Sequence, residues 1–471
     1  MTTPAALPPQ ALPSPPGPTR AGAARWIAQL GRDPLSAFTG LADAYGDVSA
    51  IQLSGRGFVA VRGAEGAHRV LLAGQDNYVK GKTFELFRPA LGMGLVTSEA
   101  EQWKTSRQLV QPLFAKRHLG VYAEHMSAAA AAALRHWDAE WADGQRILLD
   151  EEILRIGLDT VGRALISGDI SEDMTTFGTA MGGALDELGH VLNNPLTLVM
   201  ARMLRRDIQR TAGLVSPRRW KRYTGFTSII AELTAAMVDR RYRDGHGDRD
   251  DLLRLLMESE DEETGQRLDR HQVIDELRTF VGAGHETTAH GLSWMLRLLA
   301  EHPDARRRAE EELDAVLGGE APTDQTAERL PYFTACFQEA MRLYPPAWVI
   351  PRTAKHDDVI AGYHIPRGTE VYVSVWATHR DGAVYPDPLR FDPERWLGDA
   401  PKQRPRFSYL PFGGGRRMCV GQGFAMLNAR ILGAMVMQRY RFEVVDRAPV
   451  KLHPSITLRA AEGLPMTAHR R

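Results

Sequence analysis

The sequence has little cysteine, no excess charge and no long apolar run. Its 471 residues include two cysteines, Cys336 and Cys419, too few for a disulfide framework, which indicates a reducing compartment. The formal net charge is zero, so composition does not favour binding to nucleic acid. No apolar stretch approaches the roughly 20 residues that span a bilayer, and no signal segment opens the chain. We therefore expect a cytoplasmic protein.

The pattern along the chain predicts one large helical domain. Residues 1–20 are rich in proline and alanine and predict a disordered tail. Residues 21–471 contain no internal repeat, linker or change in composition, which favours a single domain. The expected fold class is mainly α with a small β lobe. Helical spacing is found at 127–251, 272–299 and 332–343, and strand patterns at 48–61, 363–365 and 371–375.

Cys419 lies in a glycine-rich loop that leads into a helix. Residues 411–421 read Pro-Phe-Gly-Gly-Gly-Arg-Arg-Met-Cys-Val-Gly, and helical spacing follows. A helix N-terminus and neighbouring arginines are expected to lower the pKa of this thiol and favour the thiolate. Such a thiolate is a nucleophile or a soft metal ligand. The alternative is a buried structural cysteine.

A second motif, Ala-Gly-His-Glu-Thr-Thr at residues 283–288, interrupts a long apolar helix pattern. Glycine and β-branched residues weaken the helix there, and a threonine hydroxyl can bond a carbonyl of the preceding turn. A carboxylate beside a hydroxyl, here Glu286 and Thr287, suits proton delivery. The alternative is that Glu286 is solvated and the threonines pack.

The order Phe412-x-x-Gly415-x-Arg417-x-Cys419-x-Gly421 resembles the haem-binding loop of the cytochrome P-450 family. In that family the cysteine sulfur is the axial ligand of the haem iron. The resemblance covers the chain from about Trp26 to the C-terminus. It implies haem b as the cofactor and Cys419 as the metal ligand.

Two further motifs match the same family in order. The motif at residues 283–288 resembles its oxygen-binding groove, which implies Glu286 and Thr287 as catalytic proton-relay residues. Glu339-x-x-Arg342, together with Arg395 downstream, resembles its buried Glu-Arg-Arg cluster. The role implied for that cluster is structural, because it holds the coil under the haem loop. Taken alone, a glutamate and an arginine three residues apart are common on helix surfaces.

A tryptophan and an arginine four residues apart resemble the family's clamp for the haem propionates, which need charge-assisted donors. Arg352 and Arg417, further along the chain, match two other propionate-binding positions. The alternative for each arginine taken separately is a solvated side chain. The cofactor-binding residues implied by the resemblance are Trp103, Arg107, Arg352, Phe412, Arg417 and Gly421.

The activity implied by the resemblance is hydroxylation of a C–H bond with O2 and two external electrons. No glycine-rich nucleotide loop or cysteine cluster follows residue 421, so we expect no fused reductase. The implied electron donors are ferredoxin and a ferredoxin reductase. We expect them to dock on the cysteine side, near Lys104, Lys116, Arg117 and Arg416.

The segments expected to face the substrate are almost entirely apolar, which favours a bulky, non-ionic molecule. They are residues 84–95, 185–198, 281–284, 347–350 and 455–458. Residues 337–348 and 457–465 resemble bacterial P-450 carotenoid ring hydroxylases, so a carotenoid is the favoured substrate. Terpenoid, fatty-acid and polyketide substrates stay open. So do a haem-thiolate isomerase or dehydratase and a haem-thiolate sensor without turnover.

Residues 201–222 are basic with interleaved apolar side chains. In the family this region roofs the substrate channel. A basic amphipathic roof suits peripheral contact with an anionic membrane. The alternative is a solvated arginine face.

Overall fold

A computed structural model describes most of the chain. It covers residue 10 and residues 12–471, except 54–55, 168–170, 193, 195, 198–199, 201–206, 246, 248 and 262. Among these residues, no helix is both long enough and apolar enough to cross a membrane.

The described residues form mainly α-helices. The helices are α1 (Arg20–Arg32), α2 (Pro34–Tyr45), α3 (Ala64–His68), α4 (Arg88–Leu91), α5 (Ala100–Val110), α6 (Lys116–Glu140), α7 (Leu149–Ile166), α8 (Ser171–Leu192), α9 (Ile208–Val215), α10 (Pro217–Asp244), α11 (Leu252–Glu258), α12 (Arg270–Glu301), α13 (Pro303–Leu317), α14 (Asp324–Ala327), α15 (Pro331–Leu343), α16 (Val375–Thr378), α17 (Ala400–Gln403) and α18 (Gln422–Arg439). Short 3-10 or π turns lie at Arg69–Ala73, Lys82–Leu86, Gln111–Phe114, Pro393–Trp396 and Gly415–Arg417.

The strands form small sheets. They are β1 (Val48–Leu53), β2 (Arg56–Val61), β3 (Tyr78–Val79), β4 (Gln145–Leu148), β5 (Val349–Ala354), β6 (Asp358–Ile360), β7 (Tyr363–Ile365), β8 (Glu370–Ser374), β9 (Tyr440–Val444), β10 (Leu452–Pro454), β11 (Leu458–Ala460) and β12 (Pro465–Arg470). One sheet has the order β1-β2-β8-β5-β3, with only β2 and β8 parallel. Another has the order β4-β12-β9, and β6–β7 and β10–β11 form hairpins.

The predicted fold class, mainly α with a small β lobe, is therefore confirmed. The hairpin predicted over residues 48–61 is the antiparallel pair of β1 and β2. Strand β5 was missed, because Pro351 interrupts its pattern. The strands predicted at residues 363–365 and 371–375 belong to different sheets.

The central helix α12 crosses the core and carries the motif at residues 283–288. Asp269 and Gln272 form a capping box at its start, and Pro303 opens the next helix directly after its end. Most of its side chains are buried, where they pack against α7, α10, α15, α18 and β9. Burial on several sides explains why apolar residues occur on most faces of this helix and do not form one stripe.

The tail prediction for residues 1–20 lies partly outside the described residues. Its described part touches the small sheets: Ala50 N–H donates to Pro16 O at 2.8 Å and His364 N–H to Pro13 O at 2.9 Å. Helix α1 begins at Arg20, with a hydrogen bond from Gly22 N–H to the Thr19 side chain. The division into a tail and one domain stays a prediction.

The carboxylate of Glu339 on α15 is fully buried and receives several donors. Arg342 on the same helix donates to both carboxylate oxygens at 2.8 Å. The Asp392 N–H and the Trp396 indole donate to it at 3.0 and 2.9 Å, and Arg395 lies 3.3 Å away. The predicted cluster of Glu339, Arg342 and Arg395 thus lies together and holds the coil at residues 386–396.

The same cluster reaches the cysteine loop through His379. Arg342 donates to the His379 carbonyl at 2.8 Å, and the His379 ring accepts the Leu410 N–H at 2.7 Å. Burial, followed by repulsion from Arg342 and Arg380, lowers the pKa of His379 to about 3. The ring is therefore neutral near pH 7 and keeps its lone pair for Leu410, the residue before the loop.

Glu339→Ala is expected to lower the free energy of unfolding by about 3–5 kcal/mol, because it leaves buried arginines without their counter-charge. Guanidinium unfolding followed by circular dichroism measures this. The matched control is Glu394→Ala, which removes an exposed carboxylate paired with Arg308 and is expected to lose less than about 1 kcal/mol. Equal losses in the two variants would contradict a supporting role for Glu339.

Candidate active site

The loop at residues 411–421 is folded tightly against its surroundings. Cys419 N–H donates to Phe412 O at 2.9 Å, and Gly413 N–H to Leu410 O at 3.0 Å. Gly415 has a φ of 68°, and a Cβ there would lie 1.8 Å from Leu71 O. Only glycine fits at that position. These contacts restrict the backbone conformation of the loop. The loop ends at Gly421, the N-cap of α18.

Cys419 lies between two spaces. One is an inner cavity of about 410 Å³ bordered by α12, and the other is an outer groove of about 870 Å³ beside α6 and α18. Burial raises the pKa of the Cys419 thiol, although the Gly421 N–H and Arg107 act to lower it. The expected lowering of this pKa was therefore wrong for the protein alone, because burial outweighs the helix terminus and the guanidinium. A metal ion bound to the sulfur would reverse the balance, since a coordinating thiol is deprotonated.

One end of the inner cavity has an excess of positive charge. Lys80, Arg352 and Arg417 border it together. Arg417 donates to Glu99 at 2.6 Å, whereas Lys80 and Arg352 donate to backbone carbonyls, those of Leu95 and Pro351. Glu99 is thus the one carboxylate bound directly to these cations in the described structure.

The excess of positive charge lowers the pKa values of two of these cations. Burial, followed by repulsion from Arg417, lowers the pKa of Lys80 to about 6. The same two causes lower the pKa of Arg352 to about 10. An anionic group placed between them would remove the repulsion. This end of the cavity therefore fits a ligand that carries carboxylates.

The predicted propionate clamp lies at the same end. Trp103 and Arg107, one turn apart on α5, both border the cavity. The Arg417 guanidinium stacks on the Trp103 ring at 4.2 Å, and Arg107 donates to the Met418 carbonyl at 2.9 Å. Arg107 therefore also braces the loop beside Cys419.

The structure separates the two predicted proton-relay residues. Thr287 borders the cavity, and its hydroxyl donates to Ala283 O at 2.9 Å, the bond to the preceding turn that its position in the motif suggests. The Glu286 carboxylate is buried away from the cavity lining and accepts a hydrogen bond from Thr457 at 3.1 Å. Neighbours in a helix point about 100° apart, so their adjacency in sequence does not bring these groups together.

The remaining cavity wall is apolar. Three of the five segments expected to face the substrate contribute to it, through Phe84 and Leu95, through Ala283 and Gly284, and through Ala347, Val349 and Ile350. Thr279, Thr287 and Thr288 of α12 add hydroxyls.

Two expected segments do not border this cavity in the described residues. Residues 185–198 and 455–458 pack against each other instead, with the Ser455 hydroxyl 3.4 Å from Leu185 O. A Cβ on Gly189 would lie 1.9 Å from the Ser455 hydroxyl. Leu198 lies outside the described residues.

The cavity wall at residues 91–98 is held by two carboxylates of α12, of which Asp275 is partly buried and Glu276 is buried. Asp275 accepts the Met93 N–H at 2.8 Å and Glu276 accepts the Leu95 N–H at 3.0 Å. Burial raises the pKa of Glu276 to about 7. Sequence reasoning missed both carboxylates and also Lys80 and Glu99, because nothing in their local pattern distinguishes them from surface charges.

The donor set fits an iron porphyrin. The described residues contain no cluster of three or more histidine, cysteine or acidic side chains that would hold a bare metal ion. A single thiol at Cys419 therefore suits a metal that brings its own ring of ligands. The apolar walls suit the faces of such a ring, and the cationic end suits its carboxylates.

Glu276→Gln is expected to change how stability depends on pH. The pKa of Glu276 is raised from 4.5 to about 7 in the folded state. Its contribution to the free energy of unfolding is therefore fully present below pH 4.5 and is lost as the pH rises through 7. Glutamine does not ionise, so the free energy of unfolding of the variant does not fall in this way. Its stability relative to the wild type should rise on the order of 3 kcal/mol between pH 4.5 and 8.

Denaturant unfolding at several pH values measures that difference. The matched control is Glu101→Gln, which removes an exposed carboxylate of α5 and should follow the wild-type curve. A constant difference between Glu276→Gln and the wild type would contradict the prediction.

Comparisons with known proteins agree on one family. The family model "Cytochrome P450" matches residues 13–463. "Cyclooctatin synthase" of Streptomyces melanosporofaciens is 33% identical over 434 residues, 92% of this chain and 90% of that protein. "Putative cytochrome P450 132" of Mycobacterium tuberculosis is 32% identical over 441 residues, covering 90% of each.

Two further comparisons give another relative and a solved structure. "Protein LUTEIN DEFICIENT 5, chloroplastic" of Arabidopsis thaliana is 30% identical over 442 residues, 91% of this chain and 72% of that protein. The structure titled "Crystal structure of cytochrome P450DA heme domain" has a TM-score of 0.82 and 25% identity, covering 98% of both chains.

Proposed function

Since the chain belongs to the cytochrome P-450 family and is a haem-thiolate monooxygenase of hydrophobic substrates, we propose that it hydroxylates a carotenoid. The observation that supports this is the apolar cavity between α12 and the Cys419 loop, whose charged side chains cluster at one end. A long hydrocarbon suits such walls. The relative whose name refers to lutein, a carotenoid, favours the same class.

A terpenoid is the second candidate. Cyclooctatin synthase and "Pentalenene oxygenase" of Streptomyces avermitilis, which is 30% identical, carry names that refer to other hydrophobic compounds. A compact terpenoid would also be held by apolar contacts alone. Fatty acids are less suited, because the cations of the cavity lie at the end that fits the cofactor's own carboxylates.

The proposed cofactor is haem b, with the Cys419 sulfur as the protein ligand of its iron. When bound, the haem supplies the activation of O2 for insertion of one oxygen atom into a C–H bond. Its propionates would be bound by Trp103, Arg107, Arg352 and Arg417, and additionally by Lys80. Phe412 and Gly421 would line the face of the ring on the loop side.

The chain's own residues would then transfer protons and exclude water. The Thr287 hydroxyl borders the cavity and holds a proton at its Oγ1, now shared with Ala283 O. Glu286, one residue before it, is the proposed acid that resupplies this proton. The apolar walls exclude bulk water, so that protons reach the cavity along these side chains.

A carbon monoxide difference spectrum tests the ligand assignment. The wild type should show the Soret position of a thiolate complex. Cys419→Ala should lose that band, because no other described cysteine borders the cavity. Cys336→Ala is the matched control, since that thiol is buried in α15, and it should keep the band. A thiolate-type band in Cys419→Ala would overturn the assignment.

The substrate proposal is tested by a panel of carotenoids, terpenes and fatty acids, scored by the spin-state shift of the haem. We expect the carotenoids to give the largest shift and the tightest binding. Ferredoxin-supported turnover of the best compound should give a hydroxylated product. A larger shift with a terpene would favour the second candidate.

The proposed electron donors are ferredoxin and a ferredoxin reductase, docking over the outer groove. The cations expected there are mostly paired: Lys116 with Glu328 at 2.7 Å and Arg416 with Asp76 at 2.7 Å. Lys104 lies 3.8 Å from Glu101. Lys116 alone of the four borders the groove, in which Arg107 and Arg430 add positive charge.

Charge reversal tests this docking. Lys116→Glu is expected to lower the rate of reduction by ferredoxin about tenfold at low salt, with a smaller effect at high salt. Arg218→Glu is the control, because Arg218 does not border the groove. Ferredoxin should reduce this variant at the wild-type rate. Equal rates in both variants would contradict docking at this site.

We also propose a cytoplasmic location with peripheral membrane contact. Residues 201–206 of the basic stretch lie outside the described residues. In the described part, Leu214 is 65% exposed, and Arg210, Arg218 and Lys221 are exposed as well. Leu196, which precedes the stretch, is 54% exposed. Flotation with phosphatidylcholine vesicles that contain phosphatidylserine should recover the protein, whereas Leu214→Ser should weaken recovery. If the wild type does not float with the vesicles, the basic stretch is better explained as a solvated arginine face.

A further inference from the structure

The carboxylate of Glu286 is held by a side chain outside α12. Thr457 lies in the turn between β10 and β11, and its hydroxyl donates to the carboxylate at 3.1 Å. Glu286 is 5% and Thr457 8% exposed. In this enclosed setting one hydrogen bond to a charged group contributes strongly to its orientation.

The turn that carries Thr457 is itself fixed by contacts that do not involve Glu286. Leu458 N–H donates to Pro346 O at 2.9 Å, and the Trp348 indole donates to Ser455 O at 2.9 Å. The Arg459 guanidinium pairs with Asp186 of α8. The hydroxyl is therefore presented to the carboxylate from a rigid support, which is what a positioning group requires.

Other polar groups around Glu286 do not replace Thr457. His290 lies one turn further along α12, and burial lowers its pKa, although Glu286 acts to raise it. Arg459 and Asp150 also influence His290. A Cβ on Gly182 of α8 would lie 3.8 Å from the carboxylate, and this glycine has no side chain that could bond to it.

We propose that Thr457 is a positioning residue for the reaction, which holds the Glu286 carboxylate on the hairpin side of α12. There the carboxylate takes up a proton that derives from solvent. Because it lies outside the cavity lining, the proton must then pass around α12 to the side that Thr287 borders. This inference rests on the proposed role of Glu286 as the acid. Without the Thr457 hydroxyl the carboxylate loses its fixed orientation, and proton delivery becomes slower than release of reduced oxygen as peroxide.

The test uses the haem-loaded enzyme with a surrogate ferredoxin and ferredoxin reductase, NADPH and O2, with no organic substrate. This makes the result independent of the carotenoid assignment. The fraction of electrons recovered as peroxide should rise at least about threefold in Thr457→Val, which is within the range expected for the loss of one hydrogen bond. Thr457→Ser should restore the wild-type fraction. Ser293→Ala, which removes another buried hydroxyl of α12, should leave it unchanged.

A double-variant cycle separates positioning from general support. In a Glu286→Gln background, Thr457→Val should cause no further rise in peroxide. An infrared carboxylate band that disappears in Glu286→Gln should shift in Thr457→Val and return in Thr457→Ser. The carbon monoxide spectrum of each variant checks that the haem pocket has formed.

The outcomes are distinct. If Glu286→Gln leaves the peroxide fraction unchanged, the acid role of Glu286 fails and the inference fails with it. If Glu286→Gln raises the fraction but Thr457→Val does not, only the positioning role of Thr457 is overturned. Additive effects of the two substitutions would also overturn it, because they would show that Thr457 acts independently of Glu286.

Discussion

The buried carboxylate of Glu339 is the contact on which the cysteine loop depends. It binds Arg342 within its own helix and the coil that contains Asp392 and Trp396. Arg342 continues to His379, and His379 accepts the Leu410 N–H directly before the loop. A charge buried this completely stays only where its partners are fixed. The position of the loop therefore depends on the position of α15.

A second constraint is the unequal charge at one end of the cavity. Burying Lys80 beside Arg352 and Arg417 is unfavourable for the protein alone, and the lowered pKa values of Lys80 and Arg352 show this. Desolvation of the Cys419 sulfur is unfavourable for the thiolate in the same way, because it raises the pKa of the thiol. Both features would be relieved by a metal porphyrin with carboxylates. The fold thus stores an unfavourable arrangement that its cofactor would stabilise, as functional sites often do.

The substrate side differs in character from this charged end. Its walls are apolar, and the segment at residues 91–98 is held to α12 by Asp275 and Glu276. Hydrogen bonds from its backbone to these carboxyl groups give this wall a defined position. Shape should therefore matter more than hydrogen bonding in the choice of substrate.

Much of the fold and part of the site could be predicted from local patterns. The mainly helical class and the hairpin at residues 48–61 follow from periodicity, which reports burial directly. The motifs around Cys419 and Glu339 identified the family, which the comparisons confirm. The expected pKa of Cys419 was wrong, because burial depends on the whole fold. The segments at 185–198 and 455–458 were placed at the cavity, whereas their described residues pack against each other.

The sequence by itself determined which residues are candidates for chemistry: the thiol in a glycine loop, the acid and alcohol of α12, and the arginines at positions that resemble the family's. These are properties of residue type and of spacing along the chain. Only the tertiary structure decided their directions and partners. It turned Glu286 toward Thr457, brought Lys80 beside Arg352 and Arg417, and paired Lys116 with Glu328. Such contacts join residues far apart in sequence, and packing alone sets which side chains meet.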